Sequence, residues 1–310
     1  MNSINLVTGG AGFIGSHLVD KLLENGENVI CLDNFSTGNE RNLEHLKLNK
    51  NLQILKQDIL DPFYEKIDKI WHLACPASPK KYQIDPIKTL QTCFIGTNNI
   101  LNLAKKSKAK ILLASSSEIY GDPLIHPQTE DFKGYSSTTS KRACYIEGKR
   151  ISETLFSEFQ NMYDVDIRIV RLFNTFGPRM LQDDGRVVSN FISQALTNKK
   201  ITIYGDGSQT RSLCYVSDII KGLIMVMNNN YKKPLNLGSP NEFSILKLAN
   251  IIKSKVNSNL EFEYLKLPED DPKKRRPEIK LIKKLLNWEP IVNIEDGLDL
   301  TIEYFKNKKE

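Results

Sequence analysis

Apolar residues in the first half of the chain fall into short runs separated by stretches of helical spacing. An apolar run through Leu6 and Val7 predicts a strand, and Ile14, Leu18, Leu22 and Leu23 then mark one face of a helix. Further strands are predicted at 28–32, ending on Asp33, at 52–56 before Asp58, at 68–74 and at 110–114. Between them the pattern predicts a helix near 40–48 and a long one after Pro86. Alternation of strand and helix predicts an α/β fold with a doubly wound parallel sheet. Beyond it, 174–211 mixes loops, a helix at 187–197 and a short strand, a pattern suited to folding over the carboxyl edge of that sheet. A helix at 218–227 and a strand at 234–238 return to the first unit, and amphipathic helices at 246–256 and 294–305 complete the chain. The expected division is a dinucleotide-binding domain of 1–173 with about 212–238, and a smaller α/β substrate domain of about 174–211 with 239–310.

The turn after the first strand changes this from architecture to chemistry. Gly10, Gly12 and Gly15 fit G-x-G-x-x-G, and Gly9, Gly12 and Gly15 fit its G-x-x-G-x-x-G variant, between a strand and a helix. Missing Cβ atoms allow a tight turn and close approach of a pyrophosphate, and the helix N-terminus offers free N–H groups and a positive dipole. A dinucleotide is therefore expected on Gly9, Gly12, Phe13, Ile14 and Gly15 of a Rossmann-type fold. Asp33 decides which one: a carboxylate ending the second strand binds the adenosine ribose hydroxyls of NAD and repels the 2′-phosphate of NADP. Asn34 opens a polar turn that wraps the same ribose, and Asp58 is placed to accept the adenine amino group.

Composition narrows the rest. The 310 residues are those of an ordinary globular protein, with a formal charge of +6 carried by scattered lysines rather than a basic stripe with interleaved aromatics, so no nucleic-acid partner is expected. Five cysteines form no C-x-x-C pair, which argues against a disulfide or zinc framework and for a reducing cytoplasm; no metal site is expected. The first strand begins close to Met1 and no apolar run reaches membrane-spanning length, so neither a signal peptide nor a membrane partner is expected.

The fifth strand ends in Ser115, Ser116 and Ser117, followed by Glu118, where ligands bind in this architecture. Farther on, Tyr145 and Lys149 stand four apart, on one face of a helix. An ammonium beside a phenol favours phenolate, lowering the tyrosine from about 10 toward working pH and making Tyr145 a candidate general base.

Together these residues resemble an extended short-chain dehydrogenase/reductase, and within that group the UDP-glucuronate decarboxylases, or UDP-xylose synthases. The likeness extends through His72-Leu-Ala-Cys-Pro-Ala-Ser-Pro79, Glu118-Ile-Tyr-Gly-Asp-Pro123, Phe173-Asn-Thr-Phe-Gly-Pro-Arg-Met180, Asp184-Gly-Arg-Val-Val-Ser-Asn-Phe191, Tyr204-Gly-Asp-Gly-Ser-Gln-Thr-Arg211 and Asp270-Asp-Pro-Lys-Lys-Arg-Arg-Pro277. It implies an NAD-dependent enzyme in which Ser116 is the hydroxyl partner, Tyr145 the base, and Lys149 the ribose-binding lysine. Ser117 and Glu118 then lie beside the sugar, and Asn174 and Tyr204 on the substrate side. Arg186 and Arg211 become candidates for the diphosphate, since a guanidinium is a forked, permanent donor. One of Arg275 and Arg276 should also face the ligand.

The resemblance also implies a UDP-sugar substrate and a homodimer. Helix faces bearing Ile87, Leu90, Phe94 and Ile151, Leu155, Phe159 have the apolar spacing for such a dimer. A 4-epimerase and a 4,6-dehydratase share the first oxidation and remain rival readings, as does a nucleotide-binding regulator without activity. The chain departs from the family's wording at Cys93, Ile146 and 135–141, which are expected to border the sugar and nicotinamide.

Overall fold

The computed structural model describes residues 3–183, 185–267 and 274–307; Asp184 and 270–273 of the motifs above lie outside them. Five strands come first: β1 (Ile4–Thr8), β2 (Asn28–Asp33), β3 (Leu52–Lys56), β4 (Lys69–His72) and β5 (Lys110–Ser116). They are followed by β6 (Ile167–Leu172), β7 (Thr175–Phe176), β8 (Ile201–Tyr204), β9 (Thr210–Ser212), β10 (Cys214–Tyr215), β11 (Leu235–Leu237), β12 (Glu242–Ser244) and β13 (Phe262–Leu265). Among the described residues seven of these form one sheet in the order β11-β6-β5-β4-β1-β2-β3. Every pairing in it is parallel.

The helices are α1 (Phe13–Glu24), α2 (Pro79–Tyr82), α3 (Pro86–Gln91), α4 (Thr97–Ser107), α5 (Ala143–Tyr163), α6 (Val187–Leu196), α7 (Val216–Asn228), α8 (Ile245–Val256), α9 (Lys280–Leu286) and α10 (Ile294–Asn307). Alternate residues of each strand face opposite sides of the sheet, so two cores form. Val7, Trp71, Leu112 and Val170 pack with Leu18 and Leu22 of α1 and Leu223 of α7. Their neighbours Leu6, Ile70, Ile111 and Ile169 pack on the other side with Ile100 and Leu101 of α4 and Phe156 of α5. Burial on both faces is why these strands read as continuous apolar runs. Strand β8 pairs in parallel with β13, and β9 antiparallel with β12, beyond the carboxyl edge of the sheet.

Three expectations need adjustment. The helix near 40–48 is a 3₁₀ turn, Glu40–Leu46, started by the Asn39 side chain accepting from Arg41 N at 3.0 Å. The long helix after Pro86 is interrupted by a π-helical turn, Thr92–Gly96, between α3 and α4. Of the apolar face expected to dimerise, Phe159 is buried in the sheet core with Leu155 packed against it, because α5 turns that part of its surface inward. Ile87, Phe94 and Ile151 are exposed, at 64%, 50% and 37%. Among the described residues no helix is long and apolar enough to cross a membrane.

Helix α5 is held to the sheet by a largely buried charged clasp. Glu153 accepts from Arg171 Nε at 3.1 Å and Nη2 at 2.9 Å, and from Ser115 Oγ at 2.5 Å. The second arm of Arg171 donates to Tyr120 Oη at 2.9 Å and Glu130 O at 2.8 Å, and Tyr120 donates to Asn236 Oδ1 at 2.7 Å. One network thus joins β5, α5, β6 and β11.

A second buried polar chain crosses from β1 to α5. Ser152 Oγ donates to Cys93 O at 2.9 Å, inside the π-helical turn, which spends the hydroxyl proton. Thr97 Oγ1 must then donate to Ser152 Oγ at 3.2 Å and His72 Nε2 to Thr97 Oγ1 at 3.1 Å, while His72 Nδ1 lies 2.9 Å from Thr8 Oγ1. The sequence puts a hydrogen on Nε2, and a neutral ring then accepts from Thr8 Oγ1 at Nδ1. Burial, helped by the Lys149 charge, lowers His72 from its ordinary 6.5 to about 3.

Between those values an unfolded chain takes up a proton that the folded one refuses. This contribution to stability is complete above pH 6.5 and is lost progressively as pH falls toward 3. The His72 ring nitrogens should accordingly keep neutral-tautomer 15N shifts at about pH 5; an imidazolium signature there would contradict the assignment.

Candidate active site

Strand order reverses between β1 and β4, which places a crevice outside their carboxyl ends. A cleft of 1430 Å³ occupies it, running from the glycine turn across the end of β5 to Tyr204 and Arg211. Every dinucleotide-side residue expected from sequence lines it: Gly9, Gly12, Phe13, Ile14, Gly15, Asp33, Asn34, Asp58, Tyr145 and Lys149.

The glycine turn leaves no room for side chains. Gly9 has φ +71°, and a Cβ on it would stand 2.9 Å from Ala74 N, while one on Gly15 would stand 2.1 Å from Gly9 O. Helix α1 starts at Gly12 with no side-chain cap and no acidic residue in its first turn, so its dipole and amide groups are directed at the cleft. Asp33 is fixed by Ala11 N at 3.0 Å and Phe35 N at 2.8 Å; burial raises its carboxyl above the ordinary value, and those two N–H groups oppose the rise. Asn34 Nδ2 donates to Asp58 Oδ2 at 2.9 Å, and the Lys88 ammonium stands 3.1 Å from the same oxygen. A cradle that any Cβ would fill, an uncapped helix start and a carboxylate at the end of β2 fit NAD.

The three serines at the end of β5 have separate tasks. Ser115 belongs to the Glu153 clasp, Ser116 hydrogen-bonds the Tyr145 phenol, and Ser117 lines the cleft. Ser116 Oγ also accepts from Glu118 N at 3.1 Å, turning the chain out of the strand. Tyr145 and Lys149 share the α5 face turned to this point. The expected lowering of the Tyr145 pKa is not what the structure shows: burial first, then Cys75 and Glu118, push the phenol well above its ordinary value, against the Ser116 hydrogen bond. Lys149 Nζ lies 5.9 Å from the Tyr145 ring centre and donates to Ala114 O at 2.9 Å, too far away to outweigh the loss of solvent.

On the substrate side, Ser117, Glu118, Asn174, Arg186, Tyr204, Arg211 and Arg275 line the cleft. Arg276 does not. Consecutive residues of an extended segment point to opposite sides, and Arg276 faces away, 3.5 Å from Glu242. Arg275 Nη1 stands 3.7 Å from Glu118 Oε1, as does Arg142 Nη1.

Several lining groups escaped the sequence reading. Tyr82 of α2 stacks on Tyr145 with ring centres 4.9 Å apart and planes at 3°, and its hydroxyl donates to Glu118 Oε2 at 3.4 Å. Arg142, one residue before α5, and Lys80 and Lys81 of α2 add positive charge. Their only trace in the sequence is basic character near the two motifs. Cys93 does not line the cleft but lies behind Cys75, and Tyr135 is 64% exposed, so these departures do not border the sugar directly; Lys141 does line the cleft.

The model of the NAD dependent epimerase/dehydratase family matches residues 5–238. UDP-glucuronic acid decarboxylase 1 of Danio rerio is 51% identical over 305 residues, 98% of this chain and 73% of its own length. UDP-glucuronic acid decarboxylase 3 of Arabidopsis thaliana is 48% identical over 302 residues, 97% of this chain and 88% of its own length. Among solved structures, the UDP-glucose 4-epimerase of Thermotoga maritima with UDP-glucose superposes with a TM-score of 0.91 at 30% identity, covering 98% of this chain and 99% of that one. The UDP-glucuronic acid 4-epimerase of Bacillus cereus, in complex with UDP-glucuronic acid and NAD, gives 0.89 at 29% identity with the same coverage. The glycine cradle, the Tyr145–Lys149 helix and the cleft between them are thus those of a member of the NAD dependent epimerase/dehydratase family, to which this chain belongs.

Proposed function

We propose that this protein decarboxylates UDP-glucuronate to UDP-xylose through a 4-keto sugar, as a homodimer in a reducing cytoplasm. The observation that carries the reading is near-complete coverage by UDP-glucuronic acid decarboxylases at 48–51% identity, against 29–30% for the epimerases above. NAD would be held by the 9–15 turn, Asp33 and Lys149, and supplies hydride acceptance and return at C4. Tyr145, with Ser116 on the same oxygen, exchanges the proton of the 4-hydroxyl. Once C4 is a ketone the uronate is a β-keto acid, so carbon dioxide leaves with its electrons entering the carbonyl. The Tyr145 and Ser116 hydroxyls then face the enolate oxygen and stabilise it. The substrate carries a carboxylate and a diphosphate, and Arg142, Arg186, Arg211 and Arg275 supply the matching charge. In this reading 174–211 and 239–310 form the nucleotide-sugar half.

Turnover of UDP-glucuronate in heavy water should yield a pentose with one deuterium at C5, taken from solvent, and the original hydrogen at C4. Unchanged mass with inverted C4 would replace decarboxylase by epimerase, and inert UDP-glucuronate beside conversion of UDP-glucose to a 4-keto-6-deoxy sugar would replace it by dehydratase; mass spectrometry and proton NMR of the products decide.

Tyr145→Phe should lower kcat by about 10²–10⁴-fold while leaving NAD affinity by calorimetry unchanged, since the ring that stacks on Tyr82 is retained. A variant with most of its activity would remove the phenol from the mechanism.

Ile87, Leu90, Phe94 and Ile151 leave an apolar stripe on α3, the π-helical turn and α5 that a second copy would cover. Light scattering at micromolar concentration should give a dimer mass, and Phe94→Glu should give a monomer. A monomeric parent protein contradicts this assembly.

A further inference from the structure

Two thiols meet behind the catalytic tyrosine. Cys75, in the connection after β4, lines the cleft and packs against Tyr82, Cys144 and Tyr145. Its Sγ lies 3.4 Å from Sγ of Cys93, which belongs to the π-helical turn between α3 and α4 and is 2% exposed. Contact of two thiols can be ordinary packing, and three further observations set this pair apart. First, the backbone is shaped around Cys93: Ser152 holds its carbonyl, and a Cβ on Gly148 of α5 would stand 2.9 Å from its sulfur. Second, the sulfurs share a proton unequally, with Cys75 held well above its ordinary value and Cys93 lowered by the Cys75 hydrogen bond and the nearby Lys149 charge. Third, one member faces a cleft open to small solutes, whereas Cys31 and Cys214 are buried elsewhere.

We propose that Cys75 and Cys93 are an oxidisable pair, a modification site for hydroperoxides whose disulfide disables the cleft. One sulfur of the pair, as thiolate, attacks a peroxide oxygen; the S–O bond forms as the O–O bond breaks. The departing hydroxide takes a proton and leaves as water. The second sulfur, giving up its proton, attacks the sulfenic sulfur; the S–S bond forms, the S–O bond breaks and a second water leaves. The two thiols lose two electrons and the peroxide gains them.

A disulfide bond of about 2.0 Å draws the sulfurs together by about 1.4 Å from their present 3.4 Å. The Cys75 sulfur packs against Tyr82 and Tyr145, so closing that distance disturbs this packing, and Ala74 is its neighbour in the chain. Ala74 N would stand 2.9 Å from a Cβ on Gly9 and donates to Thr8 Oγ1 at 3.2 Å, so the wall of the dinucleotide cradle shifts too.

The test treats purified protein with hydrogen peroxide and follows three readouts. Peptide mapping should join the Cys75 and Cys93 peptides, with the loss of two hydrogen masses. NAD affinity by calorimetry should fall, and turnover of UDP-glucuronate should be largely lost and regained with dithiothreitol. Cys93→Ser and Cys93→Ala, at a position outside the cleft lining, should keep activity before treatment and resist the reversible loss. No linked peptide in the parent protein overturns the proposal, and so does equal reversible loss in both variants. A link that leaves NAD binding and turnover unchanged overturns the claim that it disables the cleft. Only the turnover readout rests on the decarboxylase reading; the mapping and NAD binding stand apart from it, so inert UDP-glucuronate and an absent disulfide are distinguishable results.

Discussion

The site depends on the ion pair that fixes α5 against the sheet. Glu153 lies one turn beyond Lys149 and two beyond Tyr145, so whatever locates Glu153 locates both. It is met by both near arms of Arg171 and by Ser115. A buried pair of this kind adds little net stability over an apolar contact, but removal of one partner costs about 3–5 kcal/mol because the other charge is stranded. Its value is geometric: the guanidinium is planar and rigid, so α5 has one register on the sheet, and Tyr145 meets Ser116 in that register.

The cleft carries opposed electrical tendencies. At the dinucleotide end backbone N–H groups and the start of α1 offer positive potential, bounded by the carboxylates of Asp33 and Asp58. At the substrate end guanidiniums gather around Glu118. Between them Tyr145 is so enclosed by Tyr82, Cys75 and Cys144 that burial outweighs the charge of Lys149.

The π-helical turn links these regions. It exposes the Cys93 carbonyl to Ser152, which completes the chain of hydroxyls and imidazole reaching Thr8 beside the glycine turn. The backbone of the cradle and helix α5 are therefore coupled through one neutral histidine, and Cys75 sits against both.

Local patterns in the sequence determined the sheet, the glycine turn, Asp33 and the Tyr145–Lys149 face, because strand alternation, helical spacing and the steric demands of a turn act between residues close along the chain. The motif wording also marked Ser116, Arg186 and Arg211. What only tertiary structure decided arises between distant segments. Tyr82 reaches Tyr145 across 62 intervening residues, and nothing local to Lys80 and Lys81 announces that stack. The choice between Arg275 and Arg276 followed from the bridge between Gln128 and Pro277, which orients that segment. The direction of the Tyr145 shift was missed for the same reason. Helical spacing shows the ammonium four residues away, but the desolvation that outweighs it comes from residues 75 and 82, which only folding brings there. The contact of Cys75 with Cys93 likewise joins the connection after β4 to the π-helical turn, two segments that only folding brings together.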